Sequence, residues 1–485
     1  MTVESRGRGP SAGAQADAVL GRAVESAFRL HHRRRLTRLG WRTALDSGGD
    51  LPHDIVTFPP RQGNQVDVLV DGSETFAAML AAISGARRGV QIAGWHATPL
   101  FMLTRGTDGT SLADVLAHAA ARATVRVLLW RGSALPVIHP TRSDARVARD
   151  GFARIPGVSV ALDDHEYPLH CHHEKVVIVD DEMAFVGGLD LTDLNADRWD
   201  TTAHEPRDAL GWHDVATRLQ GPVVADVAAH FAARWTAVTG ESLPPPRPSS
   251  PSGPHTVQLV RTVPEKVYPF RPDGDFTILA SYRRALASAE HLIYLENQFL
   301  WAPEIVDLLE EKLLRPPAAD FRLVLLLPSR PSSGRDTTLG QLSRLVEADV
   351  DRRLLAATLQ PMAAGSPGTY VHAKVGIVDD RWLTIGSANL NAHSLLNDTE
   401  TNVVLTDPEL IADTRRRLWA EHLGVAEMDP DPVRVIDELW VPTAREQLRR
   451  SRNGLPPTHR LCELAGVGPR RDLVLGGLVG LLVDG

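Results

Sequence analysis

A chain of 485 residues with 43% hydrophobic and 23% charged content has the composition of an ordinary globular protein and is long enough for about two to four domains. Its formal net charge of −8 argues against a general nucleic-acid-binding protein, whose affinity depends on basic residues that neutralise phosphates. Its two cysteines, Cys171 and Cys462, exclude a disulfide framework as the basis of stability. No apolar run is long enough to cross a bilayer and the N-terminus lacks the apolar core of a signal peptide, so we expect a cytoplasmic location.

Residues 1–60 form an N-terminal extension in which apolar residues recur at helical spacing, and this spacing predicts a helix over residues 16–42. The second part of this helix is basic, with arginines at positions 33, 34, 35, 38 and 42. One interpretation is a surface helix attracted to anionic lipid. The other, which we favour because runs of charge are usually solvated, is a helix packed on the domain with its basic face in water.

Strands and helices then alternate over residues 61–243, and the same order returns over residues 255–425 after a Pro/Ser-rich linker at 244–254. The pattern of the first half predicts strands at 66–70, 90–95, 124–130, 158–162 and 176–179, and helices at 74–86 and 223–235. The pattern of the second half predicts a helix at 276–289 and strands at 291–296 and 321–327, with 291–296 matched to 90–95. Residues 426–485 form a C-terminal extension packed on the catalytic core, with a buried strand or hairpin predicted at 473–483. We therefore predict an α/β fold of two pseudo-symmetric halves, each a mixed sheet flanked by helices, packed around one shared active site.

The most specific feature of the chain is a short motif that occurs once in each half. His173 and Lys175 are followed by Asp180, and at the matching positions His372 and Lys374 are followed by Asp379. Only four of the 52 basic residues are lysines, and two of the four lie in these motifs. Side chains two apart on an extended strand share a face, so each histidine is expected beside its lysine. Two such half-sites facing one another predict a site for a single anion.

Two cations with hydrogen-bond donors suit a phosphoryl group, where catalysis is mostly positioning and charge stabilisation. One histidine can act as the nucleophile and form a covalent intermediate. The other can protonate the leaving oxygen and then deprotonate the incoming one. Asp180 and Asp379 complete the motif and enter the catalytic set with the histidines and lysines. Their place at strand ends beside turns favours a role in holding loops.

A nucleophilic imidazole needs a partner on one nitrogen to fix its tautomer. Asp214 and Glu400 stand at matching places downstream of the two motifs, and we predict that each orients a catalytic histidine. The alternative is that they are surface or capping carboxylates, as most carboxylates are. His170, Cys171, His172 and His173 resemble metal ligands, but consecutive residues of a strand alternate faces and do not reach one ion. No metal and no cofactor are expected.

The two motifs resemble those of the phospholipase D superfamily, and the segments at 172–181, 185–192, 198–200, 211–224, 230–235 and 293–300 are similar to phospholipase D proper. The resemblance implies a metal-independent exchange of phosphodiesters through a phosphohistidine, with His173 as nucleophile and His372 as acid and base. It also implies that Lys175, Lys374 and Asn389 bind the phosphate. Further candidates for phosphate or substrate binding are Ser387, Gly188, Gln298 and Asp190. Asp190 stands where many members have asparagine, and because an anion repels a phosphate it is also a candidate for orienting a neighbour.

Four functions remain open on the sequence. The first is hydrolysis of phospholipid headgroups, for example phosphatidylcholine to phosphatidic acid, or transfer of the phosphatidyl group to an alcohol. The second is a phosphatidyl transfer like that of cardiolipin synthases, to which residues 386–400 are similar. The third and fourth are a phosphodiesterase on nucleic acid and a non-catalytic lipid-binding protein. The expected partners are a phospholipid at a membrane surface, reached peripherally at the inner face, and water or an alcohol as acceptor. No nucleic acid is expected, and because a duplicated chain needs no second copy to complete its site, we expect a monomer.

Overall fold

A computed structural model describes residues 26–45, 56–106, 109–136, 138–194, 196–205, 207–332, 335–363 and 365–465, except for the side chains of residues 335 and 336. The predicted strand or hairpin at 473–483 and the first part of the predicted N-terminal helix lie outside these residues. Within them, no helix has both the length and the apolar character needed to span a membrane.

The first half begins after an N-terminal helix and a short 3-10 helix. The elements are α1 (26–38), the 3-10 helix (Arg42–Ala44), β1 (Arg61–Val70), α2 (Asp71–Gly85), β2 (Gly89–Gly94), α3 (Leu112–Ala120), β3 (Thr124–Trp130), α4 (Arg142–Ala153), β4 (Val158–Asp163), β5 (Val176–Val179), β6 (Met183–Gly187), β7 (Gly211–His213), β8 (Val215–Gln220) and α5 (Val223–Thr239). Capping boxes set the starts of two of these helices, with Ser111 and Asp114 at α3 and Thr141 and Asp144 at α4.

The second half and the C-terminal extension follow the linker. Their elements are β9 (His255–Val263), β10 (Asp275–Phe276), α6 (Thr277–Ser288), β11 (Leu292–Glu296), α7 (Pro303–Leu314), β12 (Arg322–Leu326), α8 (Arg335–Ala348), β13 (Leu354–Leu359), β14 (Thr369–Val371), β15 (Val375–Val378), β16 (Trp382–Gly386), a π-helical turn (His393–Asn397), β17 (Glu400–Leu405), α9 (Pro408–Leu423), α10 (Pro432–Val435), a second π-helical turn (Ile436–Trp440), α11 (Val441–Arg452) and β18 (Leu461–Glu463). Asp407 caps the start of α9, and Gly424 ends it in the left-handed conformation.

Sixteen of the described strands form one mixed sheet that runs through both halves. Its order is β18-β13-β12-β11-β15-β16-β17-β9-β1-β8-β6-β5-β2-β3-β4, with β10 paired to β9. Strands β1 and β9 pair antiparallel at the centre, and from there each half repeats the same strand order outwards. Strands β7 and β14 form a separate parallel pair, in which one strand comes from each half. The predicted α/β fold of two matching halves is confirmed.

The register of the sheet corrects one sequence match between the halves. Val179 and Val378 occupy equivalent places, each directly before the aspartate of its motif. Val90 pairs with Val179, but Ile293 pairs with Val378, so residue 90 corresponds to residue 293 and not to residue 291. The sequence match was wrong by two residues. A slip of two leaves every side chain on its own face, so hydrophobic alternation carries no information against it.

The core is divided by the sheet. One apolar cluster includes strands of both halves and the helices α5 and α9, whereas each half has a second cluster on its other side. Helix α1 and the residues after it pack on the second half, where Leu36, Trp41 and Ala44 are buried. Arg35 pairs with Glu265 in this contact, while Arg33, Arg34 and Arg38 are exposed. This part of the extension is therefore packed on the domain and carries basic residues on its outer side.

Candidate active site

The two motif histidines lie in extended segments that cross to the other half of the molecule. The backbone N–H of His173, three residues before β5, donates to the carbonyl of Thr399 over 2.9 Å. The backbone N–H of His372, directly after β14, donates to the carbonyl of His213 over the same distance. Each motif histidine is therefore anchored by the half that does not contain it, and this exchange brings the two motifs into one site.

Each motif histidine has a carboxylate on one ring nitrogen. The Nδ1 of His173 lies 3.0 Å from Oε1 of Glu400, and the Nδ1 of His372 lies 2.6 Å from Oδ2 of Asp214. All four side chains are buried. An ionised carboxylate accepts hydrogen bonds, so with that form of the acid the proton of the neutral ring belongs on Nδ1, which leaves the lone pair of Nε2 available. The structure thus brings both candidate orienting carboxylates into contact with the histidines, across the two halves.

Glu400 is held by two hydroxyl groups. Ser387 and Ser394 both donate hydrogen bonds to its carboxylate, the bond from Ser394 measuring 2.5 Å. Ser387 was a candidate for phosphate binding in the sequence, and its hydroxyl is instead directed at Glu400. Ser394 was missed because it lies in the π-helical turn, beyond the repeated motif.

Asp214 has a different environment. It accepts the backbone N–H of Val215 over 2.8 Å, and Gly188 packs directly against it. A Cβ at position 188 would lie 2.2 Å from the Oδ1 of Asp214, so this contact requires glycine. Burial raises the pKa of Asp214 to about 7, although Lys374 acts in the opposite direction. The place of Gly188 is therefore beside the candidate orienting residue.

Both motif lysines are buried close to their histidines. The Nζ of Lys175 donates to the carbonyl of His173 over 2.6 Å. The Nζ of Lys374 donates to the carbonyl of His372 and lies 3.0 Å from its Nδ1. Both lysines are at most 5% exposed, so little water is present to screen the charges of their ammonium groups.

Asp190 occupies the place that Asn389 has in the second half, and both side chains are buried. The Oδ2 of Asp190 lies 3.3 Å from the Nζ of Lys175, and its Oδ1 accepts the backbone N–H of His96 over 3.2 Å. Of the two roles considered from the sequence, these contacts match the orienting of a neighbour.

Gln298 lies two residues after β11, and by the register of the sheet it corresponds to Trp95, which follows β2. Its side-chain amide donates to the hydroxyl of Ser332 over 3.0 Å. The rings of Trp95 and His173 lie in an edge-to-face arrangement with 6.4 Å between their centroids, and the Nζ of Lys175 lies 5.9 Å from the centre of the Trp95 ring. The two halves thus line their histidines differently at this position.

Asp180 and Asp379 lie at the other ends of β5 and β15 from the motif lysines. The carboxylate of Asp180 accepts the backbone N–H groups of residues 87–89, and that of Asp379 accepts those of residues 290–292. Each begins a turn of two residues with positive φ, at 59° and 51° respectively. Such contacts hold the loop before the neighbouring strand and do not reach the histidines.

Two residues of the site were not identified from the sequence. The indole of Trp212 stacks on the ring of His372 with centroids 3.9 Å apart, and the guanidinium of Arg198 lies 4.1 Å from the centre of that indole. Burial, then the charges of Lys374, Lys175 and Arg198, hold the pKa of His372 well below its ordinary value. Both residues lie in segments quoted for the family resemblance, but no pattern indicates that they face the second motif.

The stretch 170–173 does not converge on one point. The ring nitrogens of His170 and His172 lie 3.2 Å from Asp398 and Asp163 respectively, and those of His173 reach Glu400. Cys171 packs with two tryptophans. The stretch therefore does not supply a common set of metal ligands, as expected from the alternation of its side chains.

Comparison with known proteins adds to this geometry. Residues 282–421 match a family model described as a cardiolipin synthase, phospholipase D-like domain. Phospholipase D A of Dictyostelium discoideum is 26% identical over 470 residues, covering 77% of this chain and 36% of that protein. Phospholipase D zeta 2 of Arabidopsis thaliana is 24% identical, covering 84% of this chain and 59% of that protein.

Most of the chain is thus similar to members of the phospholipase D superfamily. The chain spans 36% and 59% of the length of the two superfamily members named above. A solved structure, that of phosphatidylserine synthase from Haemophilus influenzae, superimposes with a TM-score of 0.54 and covers 82% of this chain and 97% of that one. At 11% identity this likeness concerns the fold alone.

Proposed function

We propose that the protein is a phospholipase D-type phosphodiesterase that transfers a phosphatidyl group to water or to an alcohol through a phosphohistidine. The observation that carries the proposal is the pair of buried histidines, each with Nδ1 on a carboxylate of the other half and each beside a lysine. A phosphodiester is an anion, and this site offers it buried cations and two imidazoles.

In the first step the Nε2 of His173 attacks phosphorus and the bond from phosphorus to the headgroup oxygen breaks. The hydrogen bond from Nδ1 to Glu400 leaves this Nε2 unprotonated and stabilises the positive charge that the ring gains. His372, in its protonated form, gives its proton to the leaving oxygen. Besides burial, the positive charges of Lys374 and Lys175 lower the pKa of His372. A bound phosphate is negatively charged and offsets these two charges. Substrate binding is therefore expected to raise the pKa of His372 and favour its protonated form.

In the second step neutral His372 accepts a proton from water or an alcohol, and the oxygen of that acceptor attacks phosphorus. The bond between phosphorus and Nε2 of His173 breaks, and its electron pair returns to the imidazole. The products are phosphatidic acid with water and a phosphatidyl-alcohol with an alcohol. His372 ends the cycle protonated, as it began.

Two substrate classes are favoured by the similarities. The relatives named phospholipase D favour phosphatidylcholine and similar lipids, presented at a membrane surface. The matched model, described as a cardiolipin synthase domain, favours a phosphatidyl transfer that forms cardiolipin. Both reactions use the same two steps and differ in the alcohols that leave and enter.

The test is a product assay on phosphatidylcholine vesicles with a primary alcohol present, followed by the same assay on phosphatidylglycerol vesicles. Wild type and the exposed-histidine control His118→Ala are expected to form phosphatidic acid and the phosphatidyl-alcohol. His173→Ala and His372→Ala are expected to form neither. Formation of cardiolipin from phosphatidylglycerol alone would select the second candidate.

Trapping the intermediate separates the roles of the histidines. When the lipid carries ³²P in its phosphodiester, acid-labile radioactivity is expected on His173 of the wild-type protein. The variant His173→Ala is expected to carry no such radioactivity. No lipid product from folded wild type, or equal rates in wild type and both histidine variants, would contradict the proposal.

A further inference from the structure

The N-terminal helix α1 packs against loops at the active-site edge of the sheet. Its buried Arg35 lies beside Glu265, which is two residues after the end of β9. The end of β9 pairs with the start of β17, so that Thr262 lies opposite Glu400, the partner of His173. A residue of the N-terminal extension therefore reaches the edge of the sheet at which the candidate nucleophile is supported.

The guanidinium of Arg35 binds groups from two separate segments. Its Nε donates to the Oε1 of Glu265 over 2.9 Å, its Nη1 to the Oδ1 of Asn397 over 2.6 Å and its Nη2 to the carbonyl of Leu396 over 3.0 Å. Glu265 supplies the negative charge that a buried guanidinium needs. The planar fork of an arginine makes all these contacts at once, whereas the single ammonium group of a lysine does not reach the same set.

The acceptors Leu396 and Asn397 are the last two residues of the first π-helical turn, His393–Asn397. The final carbonyls of a helical turn have no partner within it, and a cation near that end satisfies them. Arg35 takes this place at the carbonyl of Leu396. The side chain of Asn397 also donates to the carbonyl of Ala392 over 3.2 Å, so it links the guanidinium to the start of the same turn.

The same π-helical turn holds the carboxylate that orients His173. Ser394, at its second position, donates to the Oε1 of Glu400 over 2.5 Å, and that oxygen lies 3.0 Å from the Nδ1 of His173. Contacts therefore run without a gap from α1 through the turn and Glu400 to the ring of the candidate nucleophile.

We propose that Arg35 is a positioning residue of the active site, which holds the first π-helical turn where Ser394 fixes Glu400 against His173. The inference rests on the proposed function, in which His173 is the nucleophile. Because a displacement of about 1 Å at a reacting group can lower a rate roughly 10²-fold, loss of this support acts on kcat. Helix α1 thus belongs to the catalytic unit, although it lies outside the two repeated halves.

Arg35→Lys is the first test, because it keeps a positive charge beside Glu265 and removes the fork that reaches the turn. We expect kcat on phosphatidylcholine vesicles to fall by about 10–100-fold, with KM unchanged. His32→Gln is the matched control. The Nδ1 of His32 lies 3.1 Å from the Oε1 of Glu304, so this residue anchors the same helix to α7 instead of the turn. This control should keep the wild-type kcat.

A double-mutant cycle shows whether Arg35 acts through Ser394. Arg35→Lys should lower kcat in the wild-type background and have little further effect in the Ser394→Ala background. In the Ser387→Ala background its effect should be at least as large as in wild type, because Ser387 donates to Glu400 from outside the turn.

Hydrogen exchange follows the turn itself and does not depend on lipid turnover. The backbone amides of residues 393–399 are expected to exchange faster in Arg35→Lys than in wild type, and at the wild-type rate in His32→Gln. Should Arg35→Lys not fold, the half-buried Asn397 offers a second variant. Asn397→Ala removes one acceptor of the guanidinium without changing α1, and it should show the same faster exchange and lower kcat.

Three results would overturn the proposal while the proposed function stands. They are unchanged exchange of the turn in folded Arg35→Lys, an unchanged kcat in that variant, and equal losses of kcat from Arg35→Lys with and without Ser394. The first two would make Arg35 an anchor of α1 alone, and the third would show that it acts by another route. A wild type that forms no lipid product would instead contradict the proposed function and this inference together, and faster exchange would then mark Arg35 as a structural support of the turn only.

Discussion

The Nδ1 of His173 and the Oε1 of Glu400, 227 positions apart in the chain, lie 3.0 Å from each other. The equivalent contact between His372 and Asp214 spans 158 positions and runs in the opposite direction between the halves. Each half thus supplies the partner that fixes the tautomer of the other half's histidine. Neither motif histidine has its orienting carboxylate in its own half.

The first prediction concerns Glu400→Gln. The amide keeps the size of the side chain but removes its charge, so the imidazolium formed on His173 loses its stabilising anion. We expect kcat to fall by about 10²–10⁴-fold, in the range of other groups that hold and move catalytic protons. Steady-state rates on phosphatidylcholine vesicles measure this. Glu182→Gln, in the exposed turn after β5, is the control and should match wild type. Activity of Glu400→Gln within about twofold of wild type would show that the contact is not needed.

The second prediction concerns Asp214→Asn and pH. Burial raises the pKa of Asp214 from 3.8 to about 7, so between these values the folded protein keeps a proton that the unfolded chain has lost. The free energy of unfolding of wild type therefore falls as pH rises through this window, by up to about 4 kcal/mol from this group alone. Asparagine does not titrate, so the variant should gain stability relative to wild type from pH 4 to pH 7 while losing activity. Denaturant unfolding across this range measures the difference. A constant difference between the two proteins would contradict the raised pKa.

The third prediction concerns Gly188→Ala. The new methyl group would lie 2.2 Å from the Oδ1 of Asp214, so that carboxylate must move away from His372. We expect a loss of about 1–3 kcal/mol of stability, as is usual for overpacking, together with a lower kcat. Gly85→Ala, at the end of α2 where a Cβ has nothing within 4 Å, is the control and should be neutral or slightly stabilising. Unchanged kcat in Gly188→Ala would show that the position of Asp214 tolerates this shift.

The fourth prediction separates Asp180 from the chemistry. Asp180→Ala removes the charged acceptor of three backbone N–H groups, and the loss of these hydrogen bonds should cost about 1–3 kcal/mol. The kcat of the folded protein should stay unchanged, because the carboxylate does not reach the histidines. Asp181→Ala is a matched control, since residues 180 and 181 have φ of 59° and 57° and share the same backbone strain. A large fall in kcat at full folding would return Asp180 to the catalytic set.

The sequence predicted the fold well where local pattern decides it. Strands β3 and β5 have the predicted bounds, because β-branched and apolar residues fill all of β5 and every position of β3 except Arg126. Apolar alternation could not exclude a slip of two residues between the halves, since such a slip preserves both faces of a strand. The motif histidines and lysines were found because their spacing is repeated. The sequence also indicated the partner carboxylates Asp214 and Glu400, but not which histidine each one contacts. A contact between the halves leaves no periodic pattern in the sequence.

The structure also brings Asp71, His204, His213 and Glu421 together, with one nitrogen or oxygen atom of each within 4.8 Å of those of the other three, and this buried cluster was beyond the reach of sequence reasoning for a similar reason. Its members come from two helices, one strand end and a loop, and no spacing rule connects positions 71, 204, 213 and 421. The adjacent histidines at 170, 172 and 173, which are close in sequence, attract attention as ligands and point to three different partners. Proximity along the chain and proximity in space therefore disagree at both places.

The antiparallel pairing of β1 with β9 has a consequence for any attempt to divide the molecule. An isolated half would leave the edge of its innermost strand without this pairing, and an unpaired strand edge pairs readily with another chain. The most similar edge available to it is that of a second copy of the same half. Expressed alone, residues 56–243 are thus expected to associate into twofold dimers that rebuild the sheet with two first motifs, a homodimeric counterpart of the duplicated chain.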